Sequence, residues 1–166
     1  MAYWAAGMKL TGARMNAAPG RYPVGGDQRG TGTVSTSGTT ELAVCTTDVL
    51  ALDASSLYVI TFATQAATNS STAERWIQRI RKTNVTGTQL AVDHLSPANE
   101  AGEPIGEVLT WLYPTTATEN TAFCGTFVRD TSNSAGNTAT FGGSPASGTY
   151  ILVEKLLFLN GVMETT

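Results

Sequence analysis

The run LYVITFATQA at residues 57–66 constrains the fold more than any other part of the chain. Tyr58, Ile60 and Phe62 fall on one side of a period-two pattern, and Val59, Thr61 and Ala63 on the other. A short run rich in β-branched and aromatic residues, with no 3.6-residue period, predicts a strand. Further runs of the same kind follow: ELAVCT (41–46), AERWIQRIRKT (73–83), a return run over 88–94, EVLTWLY (107–113), TAFCGTFVRD (121–130), TATF (138–141) and TYILVEKLLFL (149–159). Turn signals separate them, among them NSST, TNVTG, SPANEAGEP, SNSAG and GGSPASG. About eight short strands at this spacing predict an all-β fold, a β-sandwich of jelly-roll type. We place that domain at residues 41–166.

Three details sharpen the expectation. Residues 73–83 carry two patterns. Ser71 and Glu74 have capping-box spacing, and Trp76, Ile77 and Ile80 fit a helix stripe. As a strand, Trp76, Gln78 and Ile80 alternate with Arg75, Arg79 and Arg81, and the TNVTG turn that follows makes a hairpin, so the strand is preferred. In EVLTWLY, Leu109, Trp111 and Tyr113 oppose Val108, Thr110 and Leu112, and Pro114 is expected to stop the strand. TYILVEKLLFL is apolar on both faces in its middle, as a central or interface strand is.

Residues 1–40 read differently. The opening MAYWAAGMKLTGARMNAAPGRYP holds aromatics, Met and Arg, but nothing long enough to be a core element. Thr11 can cap one short helix over 12–18, ended by Pro19-Gly20, and a two-turn helix is not stable alone in water. GGDQRGTGTVSTSGTT then reads as an extended connector or an edge segment. Such an arm is expected to serve attachment, with Trp4, Leu10, Arg14 and Met15 as its anchors. The protein is thus expected to be a part of a larger assembly.

Composition agrees. Charged residues make up 14% of the chain, against roughly 25% in ordinary globular chains, and net charge is −3. No Lys/Arg-rich tract offers binding to nucleic acid by charge neutralisation. No apolar run reaches the ~18 residues of a membrane span. The first residues lack the pattern of a signal peptide, which points to synthesis in a cytoplasm.

No residue pattern calls for catalysis, a metal or a cofactor, so no enzyme is expected. The single histidine, His94, has no nucleophile or metal partner at useful spacing. Glu100, Glu103 and Glu107 read as a solvated acidic loop. Cys45 and Cys124 read as buried thiols, with a disulfide between them left open. Two surface readings stand beside these. Arg75, Arg79 and Arg81 form a stripe that reads first as a solvated strand face and otherwise as a contact for acidic neighbours or anionic glycans, since Arg binds carboxylates bidentately. Trp76, Trp111 and Tyr113 read first as core aromatics, because their positions alternate with polar ones, and otherwise as rings that stack on sugars.

Two resemblances add to this reading. WAAGMKLTGARMN resembles the opening of short tail-associated proteins of tailed phages that infect actinobacteria, which often run aromatic, Gly, then Leu-Thr-Ala-x-x-Leu-Asn. The match is Trp4, Gly7, Leu10-Thr11 and Ala13-Arg14-Met15-Asn16, with Gly12 and Met15 as departures. The order of strand runs, ending in Leu152-Val153-Glu154-Lys155, is similar to the trimeric jelly-roll domains related to the tumour necrosis factor and complement C1q folds. These resemblances imply a virion structural protein. It would be a homotrimer bound to neighbouring tail or capsid proteins and in reach of a host surface glycan. A minor tail or fibre component is the first expectation and a capsid decoration protein the alternative. A carbohydrate-binding module or small glycan hydrolase is the alternative of another class.

Overall fold

Strand pairing follows the period-two runs. In the computed structural model, residues 20–28, 33–36, 39–64, 67–69, 76–95, 107–130, 139–142 and 148–157 are described. They form thirteen strands and no helix: β1 (Gly20–Gln28), β2 (Thr33–Thr36), β3 (Leu42–Thr46), β4 (Leu50–Leu52), β5 (Ser56–Ala63), β6 (Ala67–Asn69), β7 (Trp76–Lys82), β8 (Gln89–Leu95), β9 (Val108–Thr115), β10 (Glu119–Thr121), β11 (Phe123–Arg129), β12 (Ala139–Gly142) and β13 (Tyr150–Leu157).

Two four-stranded antiparallel sheets face each other, in the orders β1-β13-β5-β9 and β3-β11-β7-β8. The chain crosses between them at each step among these eight strands except at the β7–β8 hairpin, which stays in the second sheet. A three-stranded sheet, β2-β12-β6, and a short pair, β10-β4, complete the architecture. Every strand expected from the sequence is present within a few residues, and 76–82 is a strand. The arm helix expected over 12–18 lies outside the described residues.

The core sits between the two sheets. Tyr58, Ile60, Phe62, Ile151 and Val153 enter it from the first sheet, and Cys45, Trp76, Ile80, Phe123 and Phe127 from the second. Trp76 stacks on Phe127 with ring centroids 5.4 Å apart and planes 20° apart. Offset aromatic stacking of this kind adds to the area that both rings bury. Opposite Phe62 the second sheet carries Gly125, where an added Cβ would lie 2.4 Å from the Phe62 ring. A glycine there lets the Phe62 ring lie against the backbone of β11.

Two expectations change, and one open reading resolves. Gly20–Gln28, placed in the arm and linker, is the edge strand of the first sheet, paired with β13 from Gly20↔Leu157 to Gln28↔Tyr150. Thr33–Thr36 pairs with β12 at a sheet edge, which is the edge-segment reading of 25–40. The Gly and Pro content of β1 hides its strand signal, because pairing at an edge needs little apolar burial. Pro114 does not stop β9: it pairs with Leu57 inside the strand. β9 lies at the sheet edge, where a residue without an N–H is tolerated.

Gly125→Ala is expected to destabilise the domain by about 1–3 kcal/mol through overpacking against Phe62. Chemical denaturation of the variant beside the native chain measures this. An unchanged midpoint would mean that the sheets do not meet at this point.

Candidate interaction surface

The first sheet has a second apolar face, turned away from the core. Residues paired directly across strands share a face. Because Tyr58, Ile60 and Phe62 point inward, their partners Tyr113, Trp111 and Leu109 do too. Val108, Thr110 and Leu112 of β9 therefore point outward, beside Ala63, Thr61 and Val59 of β5. Leu152 of β13 continues this face next to Thr61, and Gly26 of β1 lies next to Leu152. Val108 is 53% and Leu112 54% exposed. The charged residues on this face within the described strands are Glu154 and Arg21, and they pair with each other at 3.2 Å. Val59 and Ala63 on this face are buried within the chain, so its exposed apolar surface is the β9 edge at Val108 and Leu112.

At one end of this face, β1 and β13 border an open groove of about 470 Å³ lined by Gly26, Asp27, Gln28, Tyr150, Ile151 and Leu152. A Cβ on Gly26 would meet the Ile151 carbonyl at 2.7 Å and the Leu152 side chain at 3.5 Å. Gly26 therefore lets the backbones of β1 and β13 lie close together here. The Asp27 carboxylate is turned away, accepting a hydrogen bond from the Thr46 N–H at 2.8 Å.

The outer face of the second sheet is different, and ion pairs hold it together. Arg81 donates to both oxygens of Glu41, through Nε and Nη2, each at 2.6 Å. Arg79 Nη1 donates to Oε2 at 2.9 Å, and the Thr126 hydroxyl donates to Oε1. Burial pushes the Glu41 carboxyl up, but the bonds from Arg81 and Thr126 and the charges of both arginines outweigh it, leaving the pKa below its ordinary value. The arginine stripe expected to meet outside partners is thus spent within the fold as far as Arg79 and Arg81 are concerned. Arg75 lies outside the described residues. Sequence reasoning missed Glu41 because one acid just before a strand has no spacing signal.

A second cluster ties the sheets together at the end where the termini emerge. Lys82 Nζ donates to Glu119 Oε2 at 2.6 Å, and Tyr113 Oη donates to Glu119 Oε1 at 2.6 Å. The Lys82 ammonium also lies 5.4 Å from the Tyr113 ring centroid. Bonds from Lys82 and Tyr113 hold the Glu119 carboxyl below its ordinary value.

The three aromatics do not share one surface. Trp76 is fully buried in the core, Tyr113 is half-buried with its hydroxyl on Glu119, and Trp111 is 41% exposed on the inward side of an edge strand. Trp76 is thus a core aromatic, in line with the first of its two readings. Cys45 and Cys124 are both buried, and no disulfide joins them. Cys45 pairs with Gly125, on the inward side, while Cys124 lies on the outward side beside Thr46. Opposite faces of a sheet do not allow a disulfide. His94 is largely exposed, 3.8 Å from Asp130. Trp4, Leu10, Arg14 and Met15 lie outside the described residues.

No protein-family model matches the chain, and no curated protein matches it. Solved structures similar in fold include the tumour necrosis factor Eiger of S. frugiperda, at 10% identity and a TM-score of 0.46, over 87% of this chain and 98% of that one. The infectious bursal disease virus VP2 subviral particle aligns at 13% identity and a TM-score of 0.42, over 84% of this chain and 41% of that one. A carbohydrate-binding module from Cellvibrio mixtus lichenase 5A, in complex with cellotriose, aligns at 11% identity and a TM-score of 0.35, over 79% of this chain and 96% of that one.

The Glu41 cluster makes a pH prediction. A carboxylate whose folded pKa is depressed contributes stability that is fully present above its ordinary value of 4.5 and is lost as pH falls through the folded pKa. The melting temperature should therefore fall with acidification below about that value. Glu41→Gln should flatten this acid limb and destabilise the domain at neutral pH by roughly 1–3 kcal/mol, since it weakens charge-assisted bonds to two arginines. Melting curves from pH 7 down to about pH 3, run on both proteins, measure it, and identical acid limbs would contradict the assignment.

Proposed function

We propose that this protein is a structural subunit of a bacteriophage particle, a homotrimeric jelly-roll domain joined to its neighbours by an N-terminal arm. The observation that carries this reading is the apolar edge of the outer β1-β13-β5-β9 face, where Val108 and Leu112 are more than half exposed while the two charges of that face pair with each other. Copies of one chain can bury such an edge without like-charge repulsion. The strand orders of the two main sheets support the jelly-roll reading. The resemblance of WAAGMKLTGARMN to the opening of phage tail-associated proteins supports the virion reading.

The fold also gives the subunit a direction. Gly20 and Leu157 pair with each other, so the segments before β1 and after β13 leave the sandwich at one end. In this reading the arm spans residues 1–19, shorter than the 40 residues read from sequence, because β1 belongs to the sheet. Trp4, Leu10, Arg14 and Met15 anchor it in a neighbouring virion protein. A minor tail or fibre location is the first choice, with head decoration by the same trimer as the alternative.

Light scattering of the full chain at micromolar concentration is expected to give three times the chain mass of 17.4 kDa. A monomer or a dimer would contradict the trimer. Removing residues 1–19 is expected to leave the melting temperature nearly unchanged while abolishing incorporation into particles. Incorporation at normal copy number would refute the attachment role.

A further inference from the structure

We infer that an internal water-binding site joins the two sheets at one end of the core, built by Trp76 and Gln78 of β7 with Thr149 just before β13. β7 turns Trp76, Gln78 and Ile80 inward, and all three are fully buried. Across from them, Thr64 directly follows β5 and Thr149 directly precedes β13, and both are fully buried too. Tyr150 pairs with Ala63, so the same register sets Thr149 beside Thr64. Each lies two residues from a core residue, Phe62 or Ile151, and so shares the inward side. The Thr64 hydroxyl donates to Gln78 Oε1 at 3.2 Å, which brings the Gln78 amide against this pair of threonines. A core that is apolar around Phe62 and Ile80 thus ends here in polar side chains.

The hydrogen bonds of this cluster do not close on themselves. Thr64 is satisfied, since its hydroxyl accepts from the Glu107 N–H at 3.2 Å as it donates to Gln78. Trp76 Nε1, Gln78 Nε2 and Thr149 Oγ1 are buried and have no hydrogen-bond partner among the described residues. The indole and the amide offer N–H donors, and the hydroxyl can both donate and accept. Buried polar groups left unmet are costly and rare in folded proteins. Water is the ligand that fits. It is small, it accepts from the N–H groups, and it donates to the Thr149 oxygen, with the two or more polar partners that a buried water needs. An apolar occupant would leave the donors unmet. An ion would need a countercharge, and none of Trp76, Gln78, Thr64 and Thr149 carries a charge. The site therefore ties β7 of the second sheet to the first sheet through a polar joint, whatever the chain assembles with.

A crystal structure of the full chain, fine enough to show ordered water, tests this directly. Water is expected within hydrogen-bond reach of both Gln78 Nε2 and Thr149 Oγ1, with Trp76 Nε1 donating to the same or an adjoining water. No water at Gln78 and Thr149, or a direct bond between them, would overturn the site. Oxygen-17 relaxation dispersion of the solvent counts long-lived internal waters in solution. Thr149→Val keeps the shape of the side chain and removes its hydroxyl, so it should hold fewer such waters than the native chain. Thr149→Ser keeps the hydroxyl and should hold as many. An unchanged count in Thr149→Val would overturn the role of Thr149 and with it the shared site. Should Thr149→Val fail to fold, the crystal structure of the native chain decides alone.

Discussion

The ring of Phe62 lies where a side chain on Gly125 would have to be, 2.4 Å from the position of its absent Cβ. This contact lets the two main sheets pack closely, and much else follows from it. With the sheets so close, Trp76 lies flat against Phe127 and cannot reach solvent. The core then uses only one face of the first sheet. The other face of β9, β5 and β13 stays as apolar as the sequence of those strands makes it. An ordinary sandwich carries polar residues there. Here Val108, Leu112 and Leu152 take those positions, and that excess of apolar surface is what a partner can bury.

The second sheet solves the same problem differently. Its outer face places two arginines on one carboxylate, so the charges are used within the chain and closed to others. The Lys82–Glu119–Tyr113 cluster closes one end of the sandwich in the same way. One sheet is therefore finished by its own ion pairs and the other is left unfinished. This asymmetry is what the proposed assembly through a single face draws on, and Gly20 and Leu157 pair at one end of that sheet.

Much of this was legible in the sequence. Period-two runs such as LYVITFA and EVLTWLY announce strands because alternation leaves a face for the core. TYILVEKL reads as doubly apolar, and β13 lies inside the sheet. GRYPVGGDQ was not legible. Two glycines and a proline suppress strand propensity, and the strand exists only because β13 offers a free edge to pair with. Glu41 was equally hidden, since its partners Arg79 and Arg81 come from a strand far along the chain. The stripe of arginines was visible, but the acid that occupies it was not. Trp76, Trp111 and Tyr113 share one period-two face type, yet burial separates them, and burial depends on which edge each strand takes.

The most direct measurement is hydroxyl-radical footprinting of the assembled full chain, read by mass spectrometry at four positions. Within a single chain, Val108 and Leu112 are more exposed than Val92, which lies on the outer side of the second sheet, and Val49 is more exposed still at 70%. If the outer face of the first sheet is the assembly surface, Val108 and Leu112 will be labelled far less than Val92 and Val49 once intrinsic reactivity is matched. Labelling of Val108 and Leu112 at or above the level of Val92 would show that this face remains open to water, and would contradict the account.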